Sequence, residues 1–143
     1  MSQPAKFSRG LSEIVLIVSD VRKSAQFYRE VVGLVPCTEA NDNWAWFWAG
    51  APGKPNRIAL HKGSLLFEDQ SPHGPEERWG QVHYAFVVPR PRLDEAVAHV
   101  RAHGVDVYGP TEFAWMKARA FYFYDPDGNL LEFWSPNDEG ATA

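Results

Sequence analysis

The sequence predicts an α+β fold made of two βαβββ modules, and three observations predict it. Two strand-like apolar runs, Glu13–Val18 and Val82–Val88, are each followed by a helical pattern and then by short strands separated by turns. Each helical pattern closes on a glycine, the residue that most easily takes the left-handed conformation at a helix end. Glu13 precedes Gly33 by 20 positions and His83 precedes Gly104 by 21, so the spacings in the two halves match to within one residue. A single module cannot cover its own sheet, which makes packing of the two together the expected outcome.

In the first half, Glu13–Val18 is β-branched and reads as a strand. Ser19 and Asp20 supply N-capping side chains. Ala25, Phe27, Tyr28, Val31 and Val32 then follow helical spacing up to Gly33. Strands are expected at Leu34–Glu39, Trp44–Trp48 and Arg57–His61, with turns at Asn41–Asn43 and Ala51–Asn56 between them. The second half repeats this order. Leu93, Ala96, Val97 and Val100 mark its helix, and strands are expected at Val105–Tyr108, Arg119–Tyr124 and Leu130–Trp134. Asp125-Pro126-Asp127-Gly128 is a strong turn. The modules run over about 11–62 and 81–136, with 63–80 as the connection, and both chain ends are expected to fray.

The 143 residues suit one domain, and 45% apolar with 22% charged residues suits a soluble globule. A formal charge of -4 argues against a nucleic-acid partner. No apolar run reaches the roughly 18 residues of a membrane span, and the first residues lack the apolar stretch of a secretory signal, so a cytoplasmic location is expected. The single cysteine, Cys37, excludes a disulfide framework.

Strand alternation separates two faces. Ile14, Leu16, Val18, Ile58, Leu60, Tyr84, Phe86, Val88, Leu131 and Phe133 form an apolar face suited to carry the helices. The opposite face is mixed: Glu13, Arg57, His61, His83 and Glu132 stand among Val, Ile, Ala and Trp. Either that face meets water, or it lines a concave apolar cup. In the second case two carboxylates and an imidazole suit a divalent ion, because a cation offsets the desolvation of buried donors. Three protein donors would leave open positions for water and substrate.

These residues resemble a known superfamily. Glu13–Asp20, Ser24, Phe27-Tyr28 and Gly33-Leu34 are similar to the opening of the vicinal oxygen chelate proteins, which include glyoxalases, bleomycin-resistance proteins, fosfomycin-resistance enzymes and extradiol dioxygenases. His83-Tyr84-Ala85-Phe86 resembles the repeat of that opening, and Phe121–Glu132 resembles the closing signature. The match covers roughly residues 11–135. It implies paired modules forming a curved mixed-sheet cup with the helices outside, a homodimer, and a divalent metal such as Mn, Fe, Zn or Ni. His83 and Glu132 match ligand positions, and Glu13 stands where the family usually has histidine. The fourth ligand position falls at Ala59, which has no donor atom; this points to the three-ligand branches, dioxygenases and fosfomycin-type transferases.

His61 lies two residues past Ala59 on the same face, as a substitute ligand, a proton carrier or a strand-end residue in water. The aromatic content is 14%, with six Trp. Trp44, Trp46 and Trp48 share a strand face, and Trp115, Phe121 and Trp134 add rings in the second half. They either fill space between modules or a dimer interface, or line the cup; Arg57 and Arg119 would there meet an anionic group of the substrate, or else stand as exposed strand-end charges. Only one of the pairs Phe121/Phe123 and Tyr122/Tyr124 can face the cup. His99 and His103 read as surface residues of the second helix.

The function expected from all this is a metal-dependent dioxygenase, lyase, isomerase or thiol transferase. Its small substrate is hydrophobic or aromatic and offers adjacent oxygens to the ion. A metal-free protein trapping an aromatic drug or metabolite is the rival expectation, motivated by Glu13 and the Trp content.

Overall fold

The computed structural model describes residues 7–8, 11–54, 56–64, 70–74, 76 and 82–137. The expectations for both chain ends and for most of the connection 63–80 lie outside the described residues. The chain divides into two compact units, Met1–Ser71 and Pro72–Ala143.

The first unit contains β1 (Glu13–Val18), α1 (Val21–Phe27), β2 (Val35–Pro36), β3 (Trp44–Trp48) and β4 (Arg57–Lys62). Its sheet order is β1-β4-β3-β2, with β1 parallel to β4 and the other pairs antiparallel. A parallel neighbour requires a crossover, and α1 supplies it. The carboxylate of Asp20 caps α1 by accepting the Lys23 backbone N–H at 3.1 Å. The helix widens into a π-helical turn over Tyr28–Val32 and stops at Gly33, whose φ of 87° an L side chain would resist. Val21, Ser24, Phe27, Tyr28 and Val31 are buried, as are Leu16, Val18, Ala45, Phe47, Ile58 and Leu60 of the strands. The Tyr28 and Phe47 rings lie 6.3 Å apart, joining helix to sheet.

The second unit repeats the plan with β5 (His83–Val87), α2 (Leu93–Ala102), β6 (Tyr108–Phe113), β7 (Ala118–Tyr124) and β8 (Leu130–Pro136), in the order β5-β8-β7-β6. Leu93, Val97 and Val100 of α2 are buried at the i, i+4, i+7 spacing. Phe121, Phe123, Leu131 and Phe133 are buried on β7 and β8, and Phe133 meets Phe121 and Phe123 edge-on at 5.4 and 5.1 Å.

The strand expected at Val105–Tyr108 runs instead over Tyr108–Phe113. Gly109 and Pro110 are poor strand formers, but β6 is an edge strand, where a missing N–H costs little. The β7–β8 turn is built on Asp125. Its Oδ1 accepts the N–H groups of Asp127 (2.9 Å) and Asn129 (2.8 Å), and its Oδ2 accepts Asn129 Nδ2 at 2.9 Å. Asp125 is buried and accepts three of the turn's donors, so Asp125→Ala would remove the acceptor that organises the turn. We expect a loss of about 2 kcal/mol, read as a lower urea midpoint with an unchanged slope.

Candidate functional site

Strand register sets which side chains share the polar face of each sheet. In the first unit Glu13 pairs with Arg57, Val15 with Ala59 and Ile17 with His61. On the other side of β4, Trp48 pairs with Arg57, Trp46 with Ala59 and Trp44 with His61. Ala59 carries only a methyl, which leaves room for the Trp46 indole to reach across to β1. There Trp46 Nε1 donates to Glu13 Oε1 at 3.0 Å. Trp44 stacks on Trp46 at 4.9 Å with the rings 2° from parallel, and on the His61 ring at 3.9 Å. His61 Nδ1 lies 3.0 Å from the Asn43 carbonyl. A carbonyl only accepts, so Nδ1 carries the proton and Nε2 is left with the basic lone pair. Burial pushes the Cys37 thiol up, with Arg57 opposing the shift.

In the second unit His83 pairs with Leu130 and Ala85 with Glu132, while Tyr122 pairs with Glu132 across β7–β8. The Glu132 side chain is only 7% exposed, and its Oε1 lies 3.1 Å from His83 Nε2. The Tyr122 hydroxyl hydrogen-bonds the same carboxylate. Burial, then the Glu132 charge and this hydrogen bond, push the Tyr122 phenol above its ordinary value. The Tyr122 ring meets the His83 ring edge-on at 6.1 Å.

The two registers superimpose by position. Glu13 corresponds to His83, Ala59 to Glu132 and Trp46 to Tyr122. Each unit thus sets a metal-ligating type on its first strand against an aromatic residue two strands away, and only the second also has a carboxylate between them. Among the described residues of either unit, no group of three His, Cys, Asp or Glu side chains stands together. His83 and Glu132 form a donor pair, while Glu13 belongs to the first unit.

Two sequence expectations are corrected. Phe121 is fully buried against Phe123 and Phe133 on the helix-covered face, out of reach of a ligand. Arg119 pairs with Ser135, two positions from Phe121 on that same face, and its guanidinium lies 3.8 Å from Asp94 of α2. Tyr122 takes the place expected for Phe121. Trp134 lies on the Glu132 face, in register with Val87 and Ala120, and is half-buried. Trp115 sits in the short 3-10 turn Ala114–Met116 between β6 and β7 and is 82% exposed. Arg57 is on the Glu13 face and half-buried.

Glutathione transferase FosA of Serratia marcescens is 26% identical over 124 residues, covering 87% of this chain and 79% of that one. The crystal structure of a glyoxalase/dioxygenase from Nostoc punctiforme superimposes with a TM-score of 0.70 at 26% identity, over 96% of this chain and 99% of that one. Fosfomycin resistance protein FosX from Listeria monocytogenes, complexed with Mn(II) and sulfate ion, superimposes with a TM-score of 0.67 at 24% identity, over 91% of this chain and 92% of that one. Among the described residues no helix is long and apolar enough to cross a membrane. Each unit repeats one strand order around one crossover helix, and the family pattern covers residues 10–133. The chain belongs to the Glyoxalase/Bleomycin resistance protein/Dioxygenase superfamily.

Proposed function

We propose that this chain is a divalent-metal-dependent enzyme acting on a small, hydrophobic or aromatic substrate that presents adjacent oxygens. Glu13, His83 and Glu132 are the proposed ligands, and Mn, Fe, Zn and Ni are the candidate ions. The observation that carries the proposal is the buried Glu132 carboxylate beside His83 Nε2. Two carboxylates and one neutral imidazole would balance a doubly charged ion, and mostly hard oxygen donors suit Mn²⁺ or Fe²⁺. The Mn(II) complex of FosX and the transferase activity named for FosA support the same chemistry. A metal-free protein would satisfy this carboxylate through His83 and Tyr122 alone, whereas a divalent ion would also offset its desolvation. The superfamily resemblance supports a homodimer as the working state.

When bound, the ion would polarise the substrate oxygens and stabilise negative charge developing on them. The protein's own groups do the rest. Tyr122 holds Glu132 in one orientation through its hydroxyl. Trp46 does the same for Glu13 through its indole N–H. His61 presents Nε2 as the proton carrier, with its ring fixed by Trp44 and by the Asn43 carbonyl. Arg57, in register with Glu13, is placed to meet an anionic group, and Trp46 and Trp134 offer apolar surface.

The proposal is tested by Mn²⁺ titration of the purified chain freed of metal. One ion per site is expected; a chain that takes up no Mn²⁺, Fe²⁺, Zn²⁺ or Ni²⁺ at its His83/Glu132 pair would end the proposal. Trp46→Phe keeps the ring and removes the N–H that orients Glu13. It should weaken Mn²⁺ binding by about tenfold, the usual cost of losing a group that orients a ligand. Unchanged affinity would remove Glu13 from the ligand set.

A further inference from the structure

Helix α2 ends on two imidazoles. His99 and His103 are four residues apart, so one helical turn brings them to the same side, and both are exposed. Their ring centroids are 4.6 Å apart with the planes tilted by 56°. His103 Nδ1 lies 2.9 Å from the His99 carbonyl and donates to it, so His103 Nε2 bears the lone pair. Two imidazoles bound side by side to one ion, at metal–nitrogen distances of about 2.0–2.1 Å, place their ring centroids about 5 Å apart. The observed spacing is close to that value before any side chain moves.

Glu95 continues the same stripe one turn earlier, but both of its oxygens accept from Arg92, at 3.1 and 2.9 Å. A bidentate guanidinium is a strong competitor for a carboxylate, which leaves nitrogen as the donor type here. An all-imidazole pair favours ions high in the stability order, Zn²⁺, Ni²⁺ and Cu²⁺, over Mn²⁺ and Mg²⁺. The carbonyl end of a helix also attracts positive charge.

We propose that His99 and His103 form an accessory surface site for a borderline divalent ion, Zn²⁺, Ni²⁺ or Cu²⁺, distinct from Glu13, His83 and Glu132. The ion links the two side chains across the last turn of α2, and water completes its coordination.

The test uses Cu²⁺ alone on the full chain, followed by calorimetry and by electron paramagnetic resonance. The expected spectrum shows two imidazole nitrogens on one bound Cu²⁺. His99→Ala places the best helix former at an exposed position and keeps the fold, so it isolates the ligand. It should weaken binding at this site by about tenfold or more, since a chelating partner acts at high effective concentration. His103→Ala should do the same. Both losses should persist in a chain that also carries His83→Ala and Glu132→Ala, which separates this site from the proposed catalytic centre. Cu²⁺ affinity unchanged by His99→Ala, or a spectrum with a single nitrogen, would overturn the proposal.

Discussion

Glu132→Ala is expected to lower Mn²⁺ affinity by about a hundredfold or more, the largest functional effect of any single substitution here, since it removes a charged donor and half of the His83/Glu132 pair. The physical case rests on burial. A carboxylate with 7% exposure has lost most of its water, and its remaining partners in the second unit are His83 and Tyr122. A cation beside such a group would offset the water it has lost. Two results should therefore accompany the loss of affinity. Without metal, the variant should melt close to the native chain, because the desolvation of the carboxylate and its contacts with His83 and Tyr122 are lost together. With saturating Mn²⁺, the native chain should gain thermal stability and the variant should not, because only a binder of the folded state shifts the equilibrium. Glu132→Gln separates charge from shape: it keeps an acceptor for Tyr122 yet should bind Mn²⁺ nearly as poorly as the alanine variant. Mn²⁺ serves well here because its hard character gives the His99/His103 pair little hold on it. Equal melting-temperature gains in native and Glu132→Ala protein would rule out Glu132 as a ligand.

The repeat was legible because its signals are local. Capping at Asp20, the closing glycines and the β-branched run of β1 each act over a few residues, and all appear where expected. The faces of β1, β4 and β5 were legible because Glu13, Arg57, His61 and His83 mark one side, and the two-residue period carries that side along each strand. Strand β7 carries no such signal. Phe121-Tyr122-Phe123-Tyr124 is aromatic on both sides, so periodicity does not separate the faces, and the expectation of Phe121 on the ligand face rested on ring content alone. What decides between them is pairing across the Asp125 turn: Tyr124 faces Leu130, so Tyr122 faces Glu132 and Phe121 faces Phe133. The same count puts Arg119 opposite Ser135 and turns its side chain to α2. The turn sequence could have supplied this register, since the bonds of Asp125 to Asp127 and Asn129 fix the hairpin. The position of β6 was not legible, because Gly109 and Pro110 argue against a strand anywhere but a sheet edge. His99 and His103 were legible as surface residues of the second helix, but their pairing, ring separation and the His103 tautomer come only from coordinates.

Phe121→Ala is expected to be the most destabilising single change, at about 3–5 kcal/mol, the range for truncating a fully buried phenylalanine. Phe121 has no solvent exposure and its ring touches two others, stacked on Phe123 at 5.8 Å and edge-on to Phe133 at 5.4 Å. Those rings sit on two adjacent strands under α2, so the void could close only by moving β7 against β8. Their register is pinned by the Asp125 turn, which makes that collapse costly and leaves most of the cavity in place. Phe121→Leu fills part of the space and should cost less than half as much. Trp115→Ala is the contrast: a larger aromatic ring is lost, but at 82% exposure the change should stay within about 0.5 kcal/mol. Equilibrium urea unfolding of the three variants gives the comparison directly. The order Phe121→Ala, Phe121→Leu, Trp115→Ala in falling cost identifies Phe121 as core. A Phe121→Ala chain as stable as Trp115→Ala would mean that β7 presents its other face to the helix, moving Tyr122 away from Glu132 and removing the basis for placing a metal ligand there.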